Sequence, residues 1–438
     1  ISSWFLGAEY PSKNSSSVYK YEDRLKIRGG SRLNGEITVQ TSKNACLPIL
    51  SASIISNGVV RIDSCPDILD VQNMIEILTE LGVSVRKSDN DYILDSRSLN
   101  LNHLDFNLCK TMRSSIFLLG AILTRCDSVM LTTPGGCNIG ERPIDIHLKA
   151  FKKLGVTVYQ MGEYIFLNAK NAHAGKVKLK LPSVGATENI VQFASTLKGK
   201  TTIYNAAREP EVVDLCNFLS KMGAKIIGAG TKKITIYGVD RLHGTEYTPI
   251  QDRIVAGTIL CAVAITGGNV RLKYSNSIQI RKLIEILSRM GCQIDVKSDI
   301  IELTSDGNLH SIAKVETGYY PDFPTDLQSI MLTLCALVHG ETEIVERVFE
   351  SRFLIVPELV KMGANIEVLS NRRVKVVGVD SLSGACLQAK ELRGGASLVL
   401  AGLRAKGETI IDNVHFIDRG YEQIESMFTS LGADIERI

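Results

Sequence analysis

The sequence has little charge imbalance, few aromatic residues and no long apolar run. Its 438 residues contain 50 Lys and Arg against 47 Asp and Glu, a net charge of +3, and 6% are aromatic. Nucleic-acid binders usually carry a strong basic excess, so we expect no nucleic acid as a partner. The longest uncharged apolar stretch, Ile254 to Val270, contains Gly-Gly-Asn. It is shorter than the ~20 residues that span a bilayer, so we expect no membrane insertion.

Motifs of metal and nucleotide chemistry are missing as well. There is no His-Glu-x-x-His, Walker phosphate loop, Gly-x-Gly-x-x-Gly or Cys-x-x-Cys. The ten cysteines are spread thinly along the chain. We therefore expect reduced, mostly buried thiols in a cytoplasmic protein that needs no metal and no cofactor.

The first 24 residues differ from the rest. They are Ser-rich, do not begin with Met, and contain the only Trp beside a short apolar run. That run is much shorter than the ~7–15 residues of a signal-peptide core. We interpret residues 1–24 as a tag, linker or disordered leader.

The remaining chain is organised as a repeat. Leu or Met followed by Gly recurs after amphipathic helix patterns, at Gly82, Gly155, Gly223, Gly291, Gly363 and Gly432. The spacings are 73, 68, 68, 72 and 69 residues, so the mean period is 70. A glycine just beyond a helix adopts the left-handed conformation at little cost. The repeat predicts six α/β units, which divide plausibly into two domains of three units.

Cations stand where the first helix of several units is predicted to begin, at Lys43, Arg113, Arg253 and Arg393. Each opposes the helix dipole by roughly 0.3–1 kcal/mol. For any one of them, contact with solvent or a neighbouring carboxylate is the better explanation. For the set, we favour an anion bound at the helix N-termini.

Two further features are candidates for chemistry. One unit carries an insertion, Pro134 to Pro143, with three glycines and Cys137, and the prolines and glycines predict an exposed loop. Cys137 is either an incidental surface thiol or, beside Arg142, a reactive one. Asp326 begins the apolar helix of the fifth unit, where an acid also simply stabilises a helix.

These features resemble those of one family, the bacterial UDP-N-acetylglucosamine enolpyruvyl transferases. Residues 41–48, Thr-Ser-Lys-Asn-Ala-Cys-Leu-Pro, resemble its Lys-Asn-Ala-x-Leu-Pro signature, and residues 134–143 resemble its catalytic loop. Residues 183–187, 323–326 and 417–421 also match in order, so the resemblance covers about Leu25 to the C-terminus.

The resemblance implies an inside-out α/β barrel. It has two domains, each of three βαβαββ units, with helices buried, sheets outward and an active-site cleft between the domains. Residues 43–250 would form the domain with the Cys loop, and residues 25–42 and 251–438 would form the second domain.

The implied reaction transfers enolpyruvyl from phosphoenolpyruvate to the 3-hydroxyl of UDP-N-acetylglucosamine and releases phosphate, the first committed step of peptidoglycan synthesis. Cys137 would protonate the methylene carbon, could carry a covalent adduct, and would be the target of fosfomycin. Asp326 would take the hydroxyl proton, and Lys43 and Arg419 complete the implied catalytic set. The implied substrate-binding residues are Lys43, Asn44, Arg113, Arg142, Pro143, Ile144, Asp145, Ile146, Leu181, Pro182, Ser183, Val184, Asp326, Val348, Arg352, Arg393 and Arg419. No metal, organic cofactor or obligate protein partner is implied. From its position at a helix start, we expect Asp326→Asn to lower stability by at most ~1 kcal/mol.

Some positions depart from the family pattern, and two alternatives stay open. Glu391 stands where Asp is usual, and Phe416 stands where His is frequent. The sister enzyme that makes enolpyruvylshikimate phosphate has the same fold and the same enolpyruvyl donor. It has a Lys-Ser signature where this chain has Lys43-Asn44, and it lacks a catalytic Cys loop. A ring-shaped DNA clamp is also built from sixfold α/β repeats, but should place basic residues along helix faces.

Overall fold

The computed structural model describes residues 23–100, 116–132, 144–162 and 164–438. Four predicted site residues lie outside these ranges: Arg113, Cys137, Arg142 and Pro143. Residues 1–22 of the predicted leader also lie outside them. The backbone N–H and C=O of Arg24, the last residue of the predicted leader, exchange hydrogen bonds of 2.9 Å with Ile438.

Helices and strands alternate along the described chain. The helices are α1 (Lys43–Ala52), α2 (Leu69–Glu80), α3 (Leu118–Ile122), α4 (Asp145–Lys153), α5 (Val184–Ala194), α6 (Pro210–Lys221), α7 (Arg253–Thr266), α8 (Arg281–Arg289), α9 (Gln328–Ala336), α10 (Val356–Lys361), α11 (Leu392–Arg404), α12 (His415–Asp418) and α13 (Ile424–Thr429). The short 3₁₀ turns are Ser53–Ile55, Ser277–Ile280 and Thr325–Leu327.

The strands are short and are spread over the whole described chain. They are β1 (Leu25–Arg28), β2 (Leu33–Thr38), β3 (Val59–Ile62), β4 (Ser84–Ser88), β5 (Asp91–Asp95), β6 (Ser128–Thr132), β7 (Thr157–Met161), β8 (Tyr164–Asn168), β9 (Lys176–Lys178), β10 (Lys200–Tyr204), β11 (Lys225–Ile227), β12 (Lys233–Tyr237), β13 (Glu246–Tyr247), β14 (Gly268–Lys273), β15 (Gln293–Lys297), β16 (Ile300–Ser305), β17 (Lys314–Gly318), β18 (Phe323–Pro324), β19 (Glu341–Val345), β20 (Asn365–Ser370), β21 (Arg373–Val377), β22 (Cys386–Gln388), β23 (Glu408–Asp412) and β24 (Asp434–Arg437).

These strands form sheets that mix parallel and antiparallel pairs. The strand orders are β22-β23-β1-β24, β11-β12-β10-β9, β13-β3-β5-β4, β15-β16-β14-β2, β18-β17-β19-β21-β20 and β6-β8-β7. The parallel pairs include β2 with β14, β3 with β13, β9 with β10, β17 with β19 and β22 with β23. The chain is therefore an α/β fold with mixed sheets.

The six repeat glycines behave as the sequence predicts. Their φ angles are 86° at Gly82, 79° at Gly155, 106° at Gly223, 113° at Gly291, 95° at Gly363 and 97° at Gly432. A side chain would be strained at such angles, which explains why one residue type recurs at the end of each amphipathic helix. The 70-residue period is thus a period of helix endings.

The described residues form two separate hydrophobic cores. One core extends from Ala45 to Leu242. The other joins residues between Leu25 and Val39 to residues between Ile254 and Ile435. Some helices are buried along most of their length, as α5 and α7 are, whereas others, such as α8, bury one face. Strands such as β16 alternate more buried and less buried residues.

The chain passes between the cores along two adjacent segments. The Ser42 N–H donates to the Ile250 carbonyl at 2.7 Å, and the Asp252 N–H donates to the Gln40 carbonyl at 2.8 Å. The Asp252 carboxylate then accepts from backbone N–H groups of both α7 and α1, at 2.8 Å from Ile254 and 3.2 Å from Lys43. One buried carboxylate therefore fixes the first turns of α1 and α7 at the boundary between the cores.

Candidate active site

A cleft of about 530 Å³ lies between the two cores. The predicted site residues that line it are Lys43, Asn44, Ile146, Leu181, Pro182, Ser183, Val184, Asp326, Val348, Arg352, Arg393 and Arg419. Two other predicted residues stand beside the cleft without lining it. Ile144 is buried directly before α4, and Asp145 pairs with Lys149 at 2.6 Å on the outer side of that helix.

Asp326 is the centre of one cluster of charges. Its carboxylate lies 2.5 Å from Nη2 of Arg352 and 3.3 Å from Nη2 of Arg393. The Asn44 side-chain amide, which comes from the other core, reaches it at 3.5 Å. The Asp326 carboxylate pairs with two buried guanidinium groups and does not only stabilise a helix start. The stability loss of at most ~1 kcal/mol expected from the sequence for Asp326→Asn is therefore too small.

Asp70 is the centre of a second cluster. Nζ of Lys43 lies 3.2 Å from Asp70 Oδ2, and Nε of Arg419 lies 2.8 Å from Asp70 Oδ1. Burial acts to raise the pKa of Asp70, but the two cations outweigh it and hold that pKa below its ordinary value. Asp70 therefore joins the two cores as an anion.

Arg253 is the third cation at a helix start. Its Nε donates to Glu211 Oε1 at 2.9 Å, and both side chains are buried. Burial acts to lower the pKa of Arg253, but Glu211 and Glu209 outweigh that effect and raise it. Each described helix-start cation thus contacts a carboxylate, which was the expectation for each one alone. All of them also line one cleft, where an anion can reach them together.

Arg393 keeps one donor for a ligand. Its side chain is about 3% exposed and stacks on the Tyr421 ring at 5.4 Å. Within the described ranges, its buried Nη1 donates no hydrogen bond of ordinary geometry. A buried guanidinium nitrogen without an acceptor is costly, so this group is suited to an incoming anion.

Glu391, the departure from the family pattern, caps α11. Its carboxylate accepts from the Arg393 N–H at 2.8 Å and from the Gly394 N–H. It also lies 3.8 Å from Nη1 of Arg352. The longer side chain therefore still fixes the helix start that presents Arg393.

The start of α5 and the loop after β19 also line the cleft. Ser183 caps α5 by accepting the Ala186 N–H at 3.3 Å. Val348 is held by its N–H, which donates to the buried Glu346 carboxylate at 2.7 Å. Leu181, Pro182, Val184 and Val348 add apolar surface to the lining of the cleft.

Sequence reasoning missed several buried acids of this cleft. Asp70 and Glu211 each stand in the first turn of a helix, where acids are common, so nothing in the local sequence marks them. Glu188 lies in the middle of α5 and is fully buried, and neither of its oxygens has a partner within the described residues. Burial raises its pKa well above the ordinary value, and Glu211 and Glu209 raise it further. The cations of the cleft were the available signal, since buried cations need counter-ions.

Most of the described thiols are buried, as expected. Cys126 is partly exposed and Cys386 is exposed. Burial raises the pKa of Cys216 and Cys335 to about 12 and that of Cys292 to about 11. These buried thiols are poor nucleophiles at neutral pH.

The described ranges show neither a cluster of metal ligands nor a membrane-spanning helix. Within them, no group of three or more His, Cys, Asp or Glu side chains is arranged to hold a metal ion. Among the helices they contain, none is both long enough and apolar enough to span a membrane.

Comparisons with known proteins identify the family. Residues 27–428 match the family model of EPSP synthase (3-phosphoshikimate 1-carboxyvinyltransferase). The chain is 46% identical to UDP-N-acetylglucosamine 1-carboxyvinyltransferase 2 of Caldanaerobacter subterraneus subsp. tengcongensis, over 95% of this chain and 99% of that protein. It is 42% identical to UDP-N-acetylglucosamine 1-carboxyvinyltransferase 1 of Clostridium perfringens, over 95% of this chain and all of that protein.

Solved structures share the fold. The enolpyruvyl transferase NikO from Streptomyces tendae superposes with a TM-score of 0.86 at 25% identity, covering 95% of this chain and 99% of that one. EPSP synthase from Acinetobacter baumannii superposes with a TM-score of 0.72 at 17% identity, covering 94% and 99%. The DNA-clamp alternative is therefore wrong. The chain belongs to the EPSP synthase family, and within that family to the UDP-N-acetylglucosamine 1-carboxyvinyltransferases.

Proposed function

We propose that this enzyme transfers the enolpyruvyl group of phosphoenolpyruvate to the 3-hydroxyl of UDP-N-acetylglucosamine and releases phosphate. The names of relatives that are 42–46% identical support this substrate pair. The observation that carries the proposal is the cleft itself, where Arg352 and Arg393 contact Asp326 and where Lys43 and Arg419, one from each core, contact Asp70. The buried Nη1 of Arg393 makes no hydrogen bond within the described residues. The product would enter peptidoglycan synthesis in the cytoplasm, and the reaction needs no metal, cofactor, nucleic acid, membrane or partner protein.

The proposed architecture is an inside-out barrel of two domains. We assign residues 43–250 to one domain and residues 25–42 with 251–438 to the other. The two hydrophobic cores and the paired crossing segments support this division. In this arrangement the buried helices direct their N-termini toward the cleft, and the sheets face outward.

Binding of phosphoenolpyruvate would use the cations that now contact carboxylates. Lys43, Arg393 and Arg419 would hold its phosphate and carboxylate groups, and Asn44 would contribute a neutral donor. Because these side chains are mostly buried, their attraction for an anion is stronger than it would be in water. Asp70 keeps two of the cations in place before the substrate arrives.

The chemistry would proceed by addition and then elimination. Asp326 would take the proton of the 3-hydroxyl as its oxygen bonds to carbon 2 of phosphoenolpyruvate, while Cys137 gives a proton to carbon 3. The adduct would then lose a proton from carbon 3 together with phosphate, which restores the double bond. Asp326 lies within the cleft, between Arg352 and Arg393.

The nucleotide-sugar would lie along the starts of α4 and α5 and extend to Asp326 and Val348. The described residues assigned to it are Ile144, Asp145, Ile146, Leu181, Pro182, Ser183, Val184, Asp326 and Val348. Arg113, Arg142 and Pro143 join them by resemblance. Ile146, Ser183 and Val348 line the cleft, which supports the assignment.

A phosphate-release assay tests the proposal. Phosphate should appear when phosphoenolpyruvate and UDP-N-acetylglucosamine are both present, and should not appear when either is omitted. Shikimate 3-phosphate in place of the nucleotide-sugar is the matched control for the sister reaction. Release with shikimate 3-phosphate, or no release with UDP-N-acetylglucosamine, would overturn the proposal.

A further inference from the structure

A buried amide, Asn189 in α5, joins three segments of the cleft wall. Its Oδ1 accepts the Gly120 N–H at 2.8 Å. Its Nδ2 donates to the Ile116 carbonyl at 3.1 Å and lies 2.9 Å from Nδ1 of His147. Asn189 is fully buried, so these protein groups replace water as its partners.

The two backbone partners fix how the amide is oriented. The Gly120 N–H can only donate, so it must face Oδ1, and the Ile116 carbonyl can only accept, so it must face Nδ2. Nδ2 therefore also faces His147, and Nδ1 of that imidazole must be the acceptor. The neutral ring then carries its proton on Nε2.

The three segments lie at the part of the cleft where we propose that the nucleotide-sugar binds. Ile116 opens the helical segment of α3, His147 directly follows Ile146 in α4, and Asn189 lies beyond Val184 in α5. Ile116, Ile146, His147 and Val184 all line the cleft. Asn189 itself does not line it, so its influence on a ligand passes through these neighbours.

The packing around this amide leaves little freedom. A methyl group added at Gly120 would overlap the Asn189 carbonyl. One added at Gly185 would lie 2.9 Å from Cε1 of His147. Because the helices approach this closely, we expect a change at Asn189 to be transmitted to the segments that contain Gly120 and His147.

We propose that Asn189 is a positioning residue for the nucleotide-sugar, acting by holding His147 as the Nε2–H tautomer and by fixing Ile116 beside it. The inference rests on the proposed function for the identity of the ligand. The hydrogen-bond geometry that carries it does not depend on that function.

Nitrogen-15 NMR of the histidine side chains tests the tautomer directly. In enzyme with ¹⁵N-labelled histidine, His147 should show an unprotonated Nδ1 and a protonated Nε2, with its signals assigned from their loss in His147→Gln. A protonated Nδ1 in the wild type would overturn the inference.

Steady-state kinetics test the positioning. Asn189→Asp should raise the KM for UDP-N-acetylglucosamine about tenfold, the effect of one lost buried hydrogen bond, and should leave the KM for phosphoenolpyruvate unchanged. Gln192→Leu is the matched control, because Gln192 is a buried amide one turn further along α5 that bonds to Ser51 and does not line the cleft. That variant should change neither KM.

The outcomes separate the two proposals. Equal changes in both KM values, or the same change in Gln192→Leu, would reduce Asn189 to a folding residue and refute the inference. Absence of phosphate release in the wild type would refute the proposed function and the ligand assignment with it, whereas the NMR result would still decide the tautomer.

Discussion

Asp326→Asn removes the negative charge on which two buried cations depend. Arg352 and Arg393 are about 2% and 3% exposed, and Asp326 itself is 25% exposed. The amide keeps the shape of the carboxylate, so any change in stability reports charge and hydrogen bonding and not packing. Turnover should fall by roughly 10²–10⁴, the usual contribution of a general base.

The stability change can be worked from the same contacts. Removing one partner of a buried ion pair costs about 3–5 kcal/mol, but Asp326 is partly exposed, and Glu391 remains 3.8 Å from Arg352. We therefore expect a loss of about 1–3 kcal/mol. For cores of this size, each kcal/mol lost from the free energy of unfolding lowers the melting temperature by about 2–4 °C.

On one preparation of the variant, differential scanning calorimetry measures the melting temperature and the phosphate-release assay measures turnover. Added inorganic phosphate should recover part of the melting temperature, since an anion can replace the missing charge between the two guanidinium groups. Near-wild-type turnover would remove Asp326 from the mechanism. An unchanged melting temperature would show that Arg352 and Arg393 do not need this counter-ion.

Three further outcomes are expected. Fosfomycin should alkylate Cys137 and spare the exposed Cys386, and the nucleotide-sugar should accelerate the labelling, as measured by peptide mass mapping. In turnover assays, Cys137→Asp should resist the epoxide and stay active, whereas Cys137→Ala should be nearly inactive. Asp70→Asn should raise the KM for phosphoenolpyruvate at least tenfold. It should also make the free energy of unfolding depend less on pH in acid, because a carboxyl with a lowered pKa stabilises the folded protein until the pH falls through its folded-state pKa. An unchanged acid-unfolding curve would contradict this. Burial raises the pKa of Asp214 to about 6, so this carboxyl ionises at a lower pH in the unfolded chain than in the folded protein. The free energy of unfolding should therefore fall by about 3 kcal/mol between about pH 4 and pH 7. Urea unfolding of Asp214→Asn should lack this fall, and parallel pH profiles of the two proteins would refute the prediction.

The sequence predicted what local chemistry determines. A glycine that ends a helix leaves a signal within one turn of chain, and all six repeat glycines have positive φ. The helices that begin at Lys43 and Arg253 were likewise predictable from an apolar run and its first residue. The mixed sheets were less predictable, since strands as short as Glu246–Tyr247 carry almost no pattern.

The charge partners could not be predicted, because they lie far apart along the chain. Asp70 is 27 residues from Lys43 and 349 residues from Arg419. Asn189 and Glu188 resemble ordinary polar residues in a helix until the fold shows that both are buried. The resemblance to a family supplied the implied roles of Asp326 and Arg393, and the coordinates added the contacts between them.

The two crossing segments have a consequence for how the chain can be shortened. Thr41 and Gln251 are bridged, so the chain leaves the core that contains β1 and returns to it at neighbouring points. A short turn from Ser42 to Gln251 would join these two points without removing any strand of the core that contains β1. If the proposed domain division holds, we expect that a chain shortened in this way can be expressed as a folded polypeptide on its own.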